Sequence, residues 1–289
     1  MPVRVNLPKT LTERLAESDE PLFGLWCCSG SAINAEIVAG SGCDWVLVDA
    51  EHSPNGLESI LAQLYALSGY PVTPVVRPPF GDTVTLKQFL DLGVQNLLIP
   101  MVDTGEQARE IARAVSYPDG SAAGGVRGVG SALARSSRWN RVPNYLANAR
   151  STVSLTVQIE SAEAVNNAEE IINTDGVDAV FVGPADLAAS LGLIGQPSHP
   201  EVVSRVLRVI ELANSAKKPV GVNAFAEADA RRYLAAGANF VAVGADVAIL
   251  ARQTEQLIAK YREPGAAGAA GAPDGGLGNE SVATESGGY

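Results

Sequence analysis

Several apolar, β-branched runs in this sequence end in a polar residue that could take part in catalysis. His52 follows the run WVLVD, Arg77 closes PVVR, Gln158 and Glu160 close VSLTVQIE, and Asp186 follows VFVGPA. In a barrel of parallel strands, catalytic groups lie where the strands end, at the carboxyl face of the barrel. We therefore expect these side chains to meet at one rim.

Glu160 and Asp186 predict a metal site. The two carboxylates are 26 residues apart, about one βα repeat, so they are expected on neighbouring strand ends. Hard oxygen ligands suit Mg²⁺, Mn²⁺ or Co²⁺, and two of them leave coordination positions for substrate oxygens and water. A 2-oxo acid fits such a site because its carboxylate and keto oxygens can chelate the ion. The alternative role for Asp186 is that of a helix N-cap, since it opens DLAASLG.

His52 is the candidate general base. It is one of two histidines, and the other, His199, lies in a turn where a helix start explains it. A neighbouring carboxylate would raise the pKa of His52 into a useful range, and Asp49 and Asp91 are both candidates. Arg77, at the rim, could neutralise an enolate oxygen as its charge develops. Ion pairing with Asp49 is the alternative role for Arg77.

The lysines decide between two aldolase mechanisms. A Schiff-base mechanism needs a desolvated lysine at the rim. None of the five lysines ends a predicted strand: Lys9, Lys87, Lys217, Lys218 and Lys260. The sequence therefore favours a metal-dependent mechanism.

A glycine- and arginine-rich segment, residues 124–146, carries Arg127, Arg135, Arg138 and Arg141. We expect it to pack over the mouth of the site, where an arginine could hold the carboxylate of a second substrate. The alternative is a nucleic-acid patch with Trp139 as a stacking ring. A formal net charge of −11 argues against nucleic acid.

Composition and length fit one enzyme-sized domain. The 289 residues are 46% hydrophobic and 18% charged, and α/β barrels commonly occupy about 250 residues. The sequence shows no signal-peptide run and no stretch of the roughly 20 apolar residues of a membrane span, so we expect a soluble cytoplasmic protein. Cys27, Cys28 and Cys43 lack the spacing of a zinc site and are expected to be reduced thiols.

Eight short runs predict strands, with amphipathic helix patterns between them. A closed (β/α)8 barrel and an open doubly wound α/β sheet share this pattern, so strand count does not separate them. We assign residues 1–263 to the barrel domain and residues 264–289, rich in Gly, Ala, Pro and Ser, to a disordered tail. The predicted strands are Leu22–Trp26, Trp45–Asp49, Pro74–Arg77, Asn96–Met101, Val153–Glu160, Ala179–Gly183, Pro219–Asn223 and Phe240–Gly244.

Longer motifs resemble one known family. WVLVDAEHSPN, LKQFLDLGVQNLLIPMV, RGVGSALARSSRWNRVPNYL and GVDAVFVGPADLAASLG are similar to segments of the HpcH/HpaI aldolases, and the similarity runs from about Leu22 to Tyr261. The resemblance implies a TIM barrel of the phosphoenolpyruvate/pyruvate superfamily type. It further implies an exchanged C-terminal helix and a hexamer built as a trimer of dimers.

The resemblance also implies an activity. That activity is the metal-dependent cleavage of a 4-hydroxy-2-oxo acid, such as 4-hydroxy-2-oxoheptanedioate, to pyruvate and succinic semialdehyde. Cleavage of 2-keto-3-deoxy sugar acids, decarboxylation of oxaloacetate, enolate condensation in secondary metabolism and a non-catalytic binding barrel are the alternatives. Residues 27–30 and 121–125 depart from the family pattern, and we expect them to alter the aldehyde pocket.

Site roles follow from the same resemblance. Glu160 and Asp186 are implied as metal ligands, Arg77 as the stabiliser of the enolate, and His52 as the acid/base. The family pattern makes Asp91 the carboxylate that raises the basicity of His52. The implied pyruvate contacts are Gln158, Ala185 through its backbone, Asp186 and Arg77.

Overall fold

The computed structural model describes residues 3–262. Eight parallel strands close into a barrel in chain order, because the first pairs with the last as well as with the second. The strands are β1 (Leu22–Cys27), β2 (Trp45–Asp49), β3 (Thr73–Arg77), β4 (Asn96–Ile99), β5 (Ser154–Ile159), β6 (Ala179–Val182), β7 (Val220–Asn223) and β8 (Phe240–Ala245). The prediction of a closed barrel is confirmed.

Helices surround the strands. They are α1 (Leu11–Glu17), α2 (Ala32–Ala39), α3 (Leu57–Leu67), α4 (Thr83–Asp91), α5 (Gly105–Ala114), α6 (Tyr145–Asn148), α7 (Ala162–Asn166), α8 (Ala168–Ile172), α9 (Pro184–Ser190), α10 (Pro200–Ser215), α11 (Glu227–Ala235) and α12 (Asp246–Arg262), with short 3-10 turns at Ser131–Leu133, Arg135–Ser137 and Ala149–Thr152. No helix within residues 3–262 combines the length and apolar character needed to cross a membrane. The predicted tail lies outside the described residues.

Each strand alternates between two apolar environments, because successive side chains point to opposite faces. Outward residues such as Val46 and Val48 pack against the helices in the larger core, and inward residues such as Leu47 fill the barrel. The outer core extends all round the barrel, so both faces of the sheet are buried, as in other parallel sheets.

Inside the barrel, a glycine on one strand lies against an aromatic ring on the neighbouring strand. A Cβ on Gly24 would lie 2.1 Å from the ring of Trp45, and a Cβ on Gly221 would lie 2.4 Å from the ring of Phe240. The two large rings pack edge-on, 5.6 Å between centroids, and Phe181 lies 5.6 Å from Phe240. Glycine on one strand thus makes room for an aromatic ring on the next.

The same alternation continues to the carboxyl ends of the strands and selects which side chains face the mouth of the barrel. These positions belong to the inward-facing set, and most of them carry polar groups. They are Trp26, Asp49, Arg77, Gln158, Gly183 and Asn223.

The arginine-rich segment packs at the opposite end of the barrel. Helix α4 runs back from the carboxyl end of β3 toward the start of β4, so its last residue, Asp91, lies near the amino end of the barrel. Arg127 pairs with Asp91 at 3.1 Å, and Arg135 donates to the carbonyl of Leu92 at 3.1 Å. The prediction that these arginines cover the mouth of their own barrel is therefore wrong.

Candidate active site

Asp49 organises the rim at the end of β2. Its carboxylate accepts hydrogen bonds from the backbone N–H of Glu51 at 3.1 Å and of His52 at 3.3 Å, and from the hydroxyl of Ser53 at 3.0 Å. Burial alone would raise the pKa of Asp49, but its hydrogen bond and charge pairing with Arg77 hold that pKa below the ordinary value. Asp49 therefore stays ionised and fixes the turn that carries His52.

Arg77 is a buried guanidinium surrounded by acceptors. Its Nε lies 2.7 Å from Asp49 Oδ1, and its Nη1 lies 2.8 Å from Glu51 Oε2. Nη1 also donates to Gln158 Oε1 at 3.4 Å, and the guanidinium lies 4.4 Å from the centroid of the Trp26 ring. Both roles considered for Arg77 are thus compatible, since the pairing with Asp49 holds it at the rim.

Glu160 is the most strongly perturbed carboxylate at the mouth. It is 2% exposed. Its Oε1 accepts the backbone N–H of Met101 at 2.8 Å and its Oε2 accepts the Gln158 amide at 2.6 Å. Burial raises its pKa to about 8, and the charges of Asp186 and Glu51 act in the same direction against the Met101 hydrogen bond.

Asp186 lies in the first turn of α9, next to the rim. The N-cap of that helix is Gly183, and no side chain caps it. The alternative role of Asp186 as the N-cap is therefore wrong. Ala185 precedes Asp186 and is exposed, so its backbone lies at the mouth, where the predicted pyruvate contact would require it.

The donor set fits a divalent cation. Asp49, Glu51 and Glu160 lie around the positive charge of Arg77, and Asp186 lies near Glu51 and Glu160, so acidic groups outnumber basic ones at the rim. Within residues 3–262, no three His, Cys, Asp or Glu side chains converge as a metal site. Two carboxylates with open positions are the arrangement that Mg²⁺ uses when a substrate completes its coordination.

His52 and Asp91 do not meet within one chain. The His52 side chain is 67% exposed at the carboxyl end of the barrel, and its Nε2 lies 3.8 Å from Glu51 Oε2. Asp91, at the amino end, is paired with the buried Arg127. The pairing inferred from the resemblance is therefore absent in the described chain, where Glu51 is the neighbouring carboxylate instead.

Three residues of the site escaped sequence reasoning. Glu51 stands next to His52 in the sequence and has no role in the sequence-based prediction, although it pairs with Arg77. Trp26 and Asn223 were treated as strand residues, yet Trp26 Nε1 donates to Asn223 Oδ1 at 3.1 Å across the mouth. Inward alternation along β1 and β7 would have placed both side chains there.

The segment after β1 is held in place by Asp246, the first residue of α12. Asp246 Oδ1 accepts the backbone N–H of Cys28 at 2.8 Å, and Asp246 Oδ2 accepts the hydroxyl of Ser29 at 2.5 Å. Burial raises the pKa of the Cys28 thiol to about 11, which keeps it protonated at neutral pH. Cys27, Cys28 and Cys43 are free thiols, as predicted.

Residues 22–252, which contain the whole barrel and its mouth, match the family model described as HpcH/HpaI aldolase/citrate lyase. The chain belongs to the HpcH/HpaI aldolase family. It is therefore a carbon–carbon lyase that acts on small molecules. All the site residues predicted from the sequence except Asp91 lie at the mouth of this barrel.

Named HpcH/HpaI relatives cover nearly all of the chain. A hydroxypyruvate/pyruvate aldolase from Deinococcus radiodurans is 50% identical over 93% of this chain and 96% of its own length. A 4-hydroxy-2-oxo-heptane-1,7-dioate aldolase from Escherichia coli is 48% identical over 85% of this chain and 92% of its own length. A solved structure of an HpcH/HpaI aldolase/citrate lyase family protein from Burkholderia cenocepacia is 39% identical in sequence and has a TM-score of 0.83. The match covers 88% of this chain and 99% of that one.

Proposed function

We propose that this HpcH/HpaI aldolase is a metal-dependent pyruvate aldolase that reversibly cleaves 4-hydroxy-2-oxo acids to pyruvate and an aldehyde. The observation that carries the proposal is the buried guanidinium of Arg77 near the carboxylate of Glu160, which in turn lies near Asp186. A fixed cation next to two metal-ligand carboxylates suits the developing charge of an enolate.

The metal ligands, the arginine and the pyruvate contacts have separate roles in this proposal. Glu160 and Asp186 would hold Mg²⁺, Mn²⁺ or Co²⁺, which supplies Lewis-acid polarisation of the substrate keto oxygen. Arg77 donates to the same oxygen as it becomes an enolate. Gln158 has its amide oriented by Arg77 and Glu160, and it contacts the pyruvate portion together with the backbone of Ala185.

Cleavage requires one proton to leave the 4-hydroxyl and another to reach C3. His52 accepts the hydroxyl proton, the C3–C4 bond breaks, the C4 oxygen forms the aldehyde carbonyl, and the bonding electrons pass into the enolate that Arg77 stabilises. Protonation at C3 then gives pyruvate. Within the chain, Glu51 is the carboxylate that can support the protonated imidazole, at 3.8 Å.

We also propose that the enzyme is a homo-oligomer, in keeping with the hexamer that the resemblance implies. Within the described part of α12, Asp246 is the buried residue, whereas the apolar side chains of the helix are exposed. A helix with this exposure fits an exchange between subunits. A second copy could also bring its Asp91 toward His52, which one chain cannot do. Light scattering on the full chain tests the assembly. The exposed apolar residues are Val247, Ile249, Leu250, Leu257, Ile258 and Tyr261.

The 50% identity to a hydroxypyruvate/pyruvate aldolase favours a second donor, hydroxypyruvate. This variant of the proposal needs no additional catalytic group, because hydroxypyruvate carries the same 2-oxo acid portion as pyruvate. Condensation of hydroxypyruvate with succinic semialdehyde or a short hydroxy-aldehyde, followed by product analysis, tests it.

The deciding experiment measures pyruvate release from 4-hydroxy-2-oxoheptanedioate and from a 2-keto-3-deoxy sugar acid. Each substrate is assayed with Mg²⁺, with chelator, and with His52→Ala. His199→Ala is the matched control, since His199 caps α10. Loss of release with chelator and with His52→Ala, but not with the control, supports the proposal. Full activity in chelator contradicts the metal role.

Other outcomes identify the alternatives. Release of carbon dioxide from oxaloacetate much faster than any aldol cleavage would make the enzyme a decarboxylase. Metal-dependent binding of pyruvate with no turnover of any hydroxy-oxo acid would indicate a non-catalytic barrel.

A further inference from the structure

Asn223 presents a fixed amide at the mouth of the barrel. Two residues earlier on β7, the missing Cβ of Gly221 would contact Phe240 and Phe181 inside the barrel. Residues two apart on a strand share a face, so Asn223 also points inward, one layer higher. It is half-buried at the carboxyl end of β7.

Trp26 determines which way this amide faces. The indole Nε1 is a donor and cannot accept, so its 3.1 Å partner on Asn223 must be the carbonyl oxygen Oδ1. The Nδ2 group is thereby directed away from the indole. No described residue accepts a hydrogen bond from it, although most polar groups at this rim have a partner within the protein.

The amide lies next to the proposed enolate site. The face of the Trp26 ring contacts Arg77, 4.4 Å from the centroid, while its edge contacts Asn223. On the other side, β6 and β7 pair at Val182 and Val222, which makes Gly183 the strand neighbour of Asn223. Asn223 therefore lies between Gly183, which borders Glu160, and the indole of Trp26, which contacts Arg77.

We propose that Asn223 Nδ2 donates a hydrogen bond to an oxygen on the acceptor aldehyde and selects hydroxylated aldehydes over apolar ones. The inference rests on the proposed aldolase function. An apolar aldehyde of the same size would leave the Nδ2 donor unpaired in a half-buried site. Enzymes reject a substrate that leaves a polar group unpaired more strongly than one that lacks a methylene group.

The test uses two acceptors of equal size, glycolaldehyde and propanal, condensed with pyruvate by the full-length enzyme in Mg²⁺. The measured quantity is the ratio of kcat/KM for glycolaldehyde to that for propanal. We expect Asn223→Leu to lower this ratio about tenfold. Asn173→Leu is the control, because Asn173 is exposed at the end of α8, and its ratio should equal that of the wild type.

Asn223→Asp separates contact with the substrate from positioning of Trp26. The aspartate keeps an acceptor for the indole N–H but lacks the amide donor, so we expect the ratio to fall as in Asn223→Leu. A ratio that stays at the wild-type value in Asn223→Asp would show that Asn223 only positions Trp26, and would overturn the proposal.

Two further measurements isolate other causes. If Asn223→Leu changes the preference between hydroxypyruvate and pyruvate but leaves the acceptor ratio intact, the amide contacts the donor and the proposal is overturned. Exchange of the pyruvate C3 protons with deuterium requires no acceptor. A wild-type enzyme without this exchange would refute the proposed function itself, whereas exchange with an unchanged acceptor ratio refutes only the role of Asn223.

Discussion

Gly183 leaves the space that the Glu160 carboxylate occupies, and replacing it by alanine should damage the site with little effect on the fold. A Cβ at this position would lie 2.5 Å from Glu160 Oε2 and 3.1 Å from Glu160 Cβ. The backbone φ of −102° is accessible to alanine, so the substitution introduces no backbone strain. Any effect must therefore come from displacement of the carboxylate.

The displacement can be estimated from the contact. Real Cβ atoms essentially never lie closer than 3.0 Å to another heavy atom, so the carboxylate must move by about 0.5 Å or more. Such a shift disturbs its hydrogen bonds to Met101 at 2.8 Å and Gln158 at 2.6 Å. A misplacement of about 1 Å can lower a rate about 100-fold, so we expect a loss of about 10- to 100-fold in kcat/KM and weaker Mg²⁺ binding.

The assay compares pyruvate release and Mg²⁺ titration in Gly183→Ala, Gly69→Ala and the wild type. Gly69 is exposed, and the nearest atom to an added Cβ is 3.9 Å away, so this control adds the same methyl group in open space. Thermal unfolding should be similar in all three proteins. Wild-type turnover and Mg²⁺ affinity in Gly183→Ala would refute the placement of Glu160 as a metal ligand.

Three further predictions concern the rest of the rim. Arg77→Lys should lower kcat about 100-fold or more, because one ammonium cannot reach Asp49 and Glu51 and also meet the enolate; steady-state kinetics measures this loss. Asp246→Ala should destabilise the protein by about 2 kcal/mol in urea unfolding, since it removes the acceptor of the half-buried backbone N–H groups of Cys28 and Ser29; unchanged stability would contradict this. Because the pKa of Glu160 is raised to about 8, a proton competes with the cation below that pH. Mg²⁺ affinity measured by calorimetry without substrate should therefore fall about tenfold per unit as pH decreases below 8, and a flat profile would oppose this reasoning.

Most of the fold could be predicted from the sequence, because each strand is short, β-branched and followed by a helix pattern. The predicted runs overlap all eight observed strands. Closure could not be predicted from local patterns, because it depends on a pairing such as Leu22 with Phe240, which lie at the two ends of the barrel sequence. The family resemblance supplied that expectation before the structure confirmed it.

The sequence predicted some residues of the site and missed others. Residues that close a strand, such as Arg77, were found because polarity at the end of an apolar run is visible in the sequence. Asn223 also closes a predicted strand, and its role and that of Trp26 become visible only when the inward register of β1 and β7 is followed.

The separation of Asp91 from His52 within one chain has a different origin. Helix direction places the end of α4 at the amino face of the barrel, and the ion pair with Arg127 holds it there. The resemblance supplied a partner for His52 without stating from which copy of the chain that partner would come.

The packing of glycines against aromatic rings inside the barrel determines how its core could be redesigned. Gly24 and Trp45 form one coupled pair, and Gly221 and Phe240 form another. In each pair, the glycine leaves the space that the aromatic ring occupies. A library that varies one member alone will produce clashes or holes, because interior packing has little slack. Varying both members of a pair together keeps the total volume constant and opens sequence space that single substitutions cannot reach.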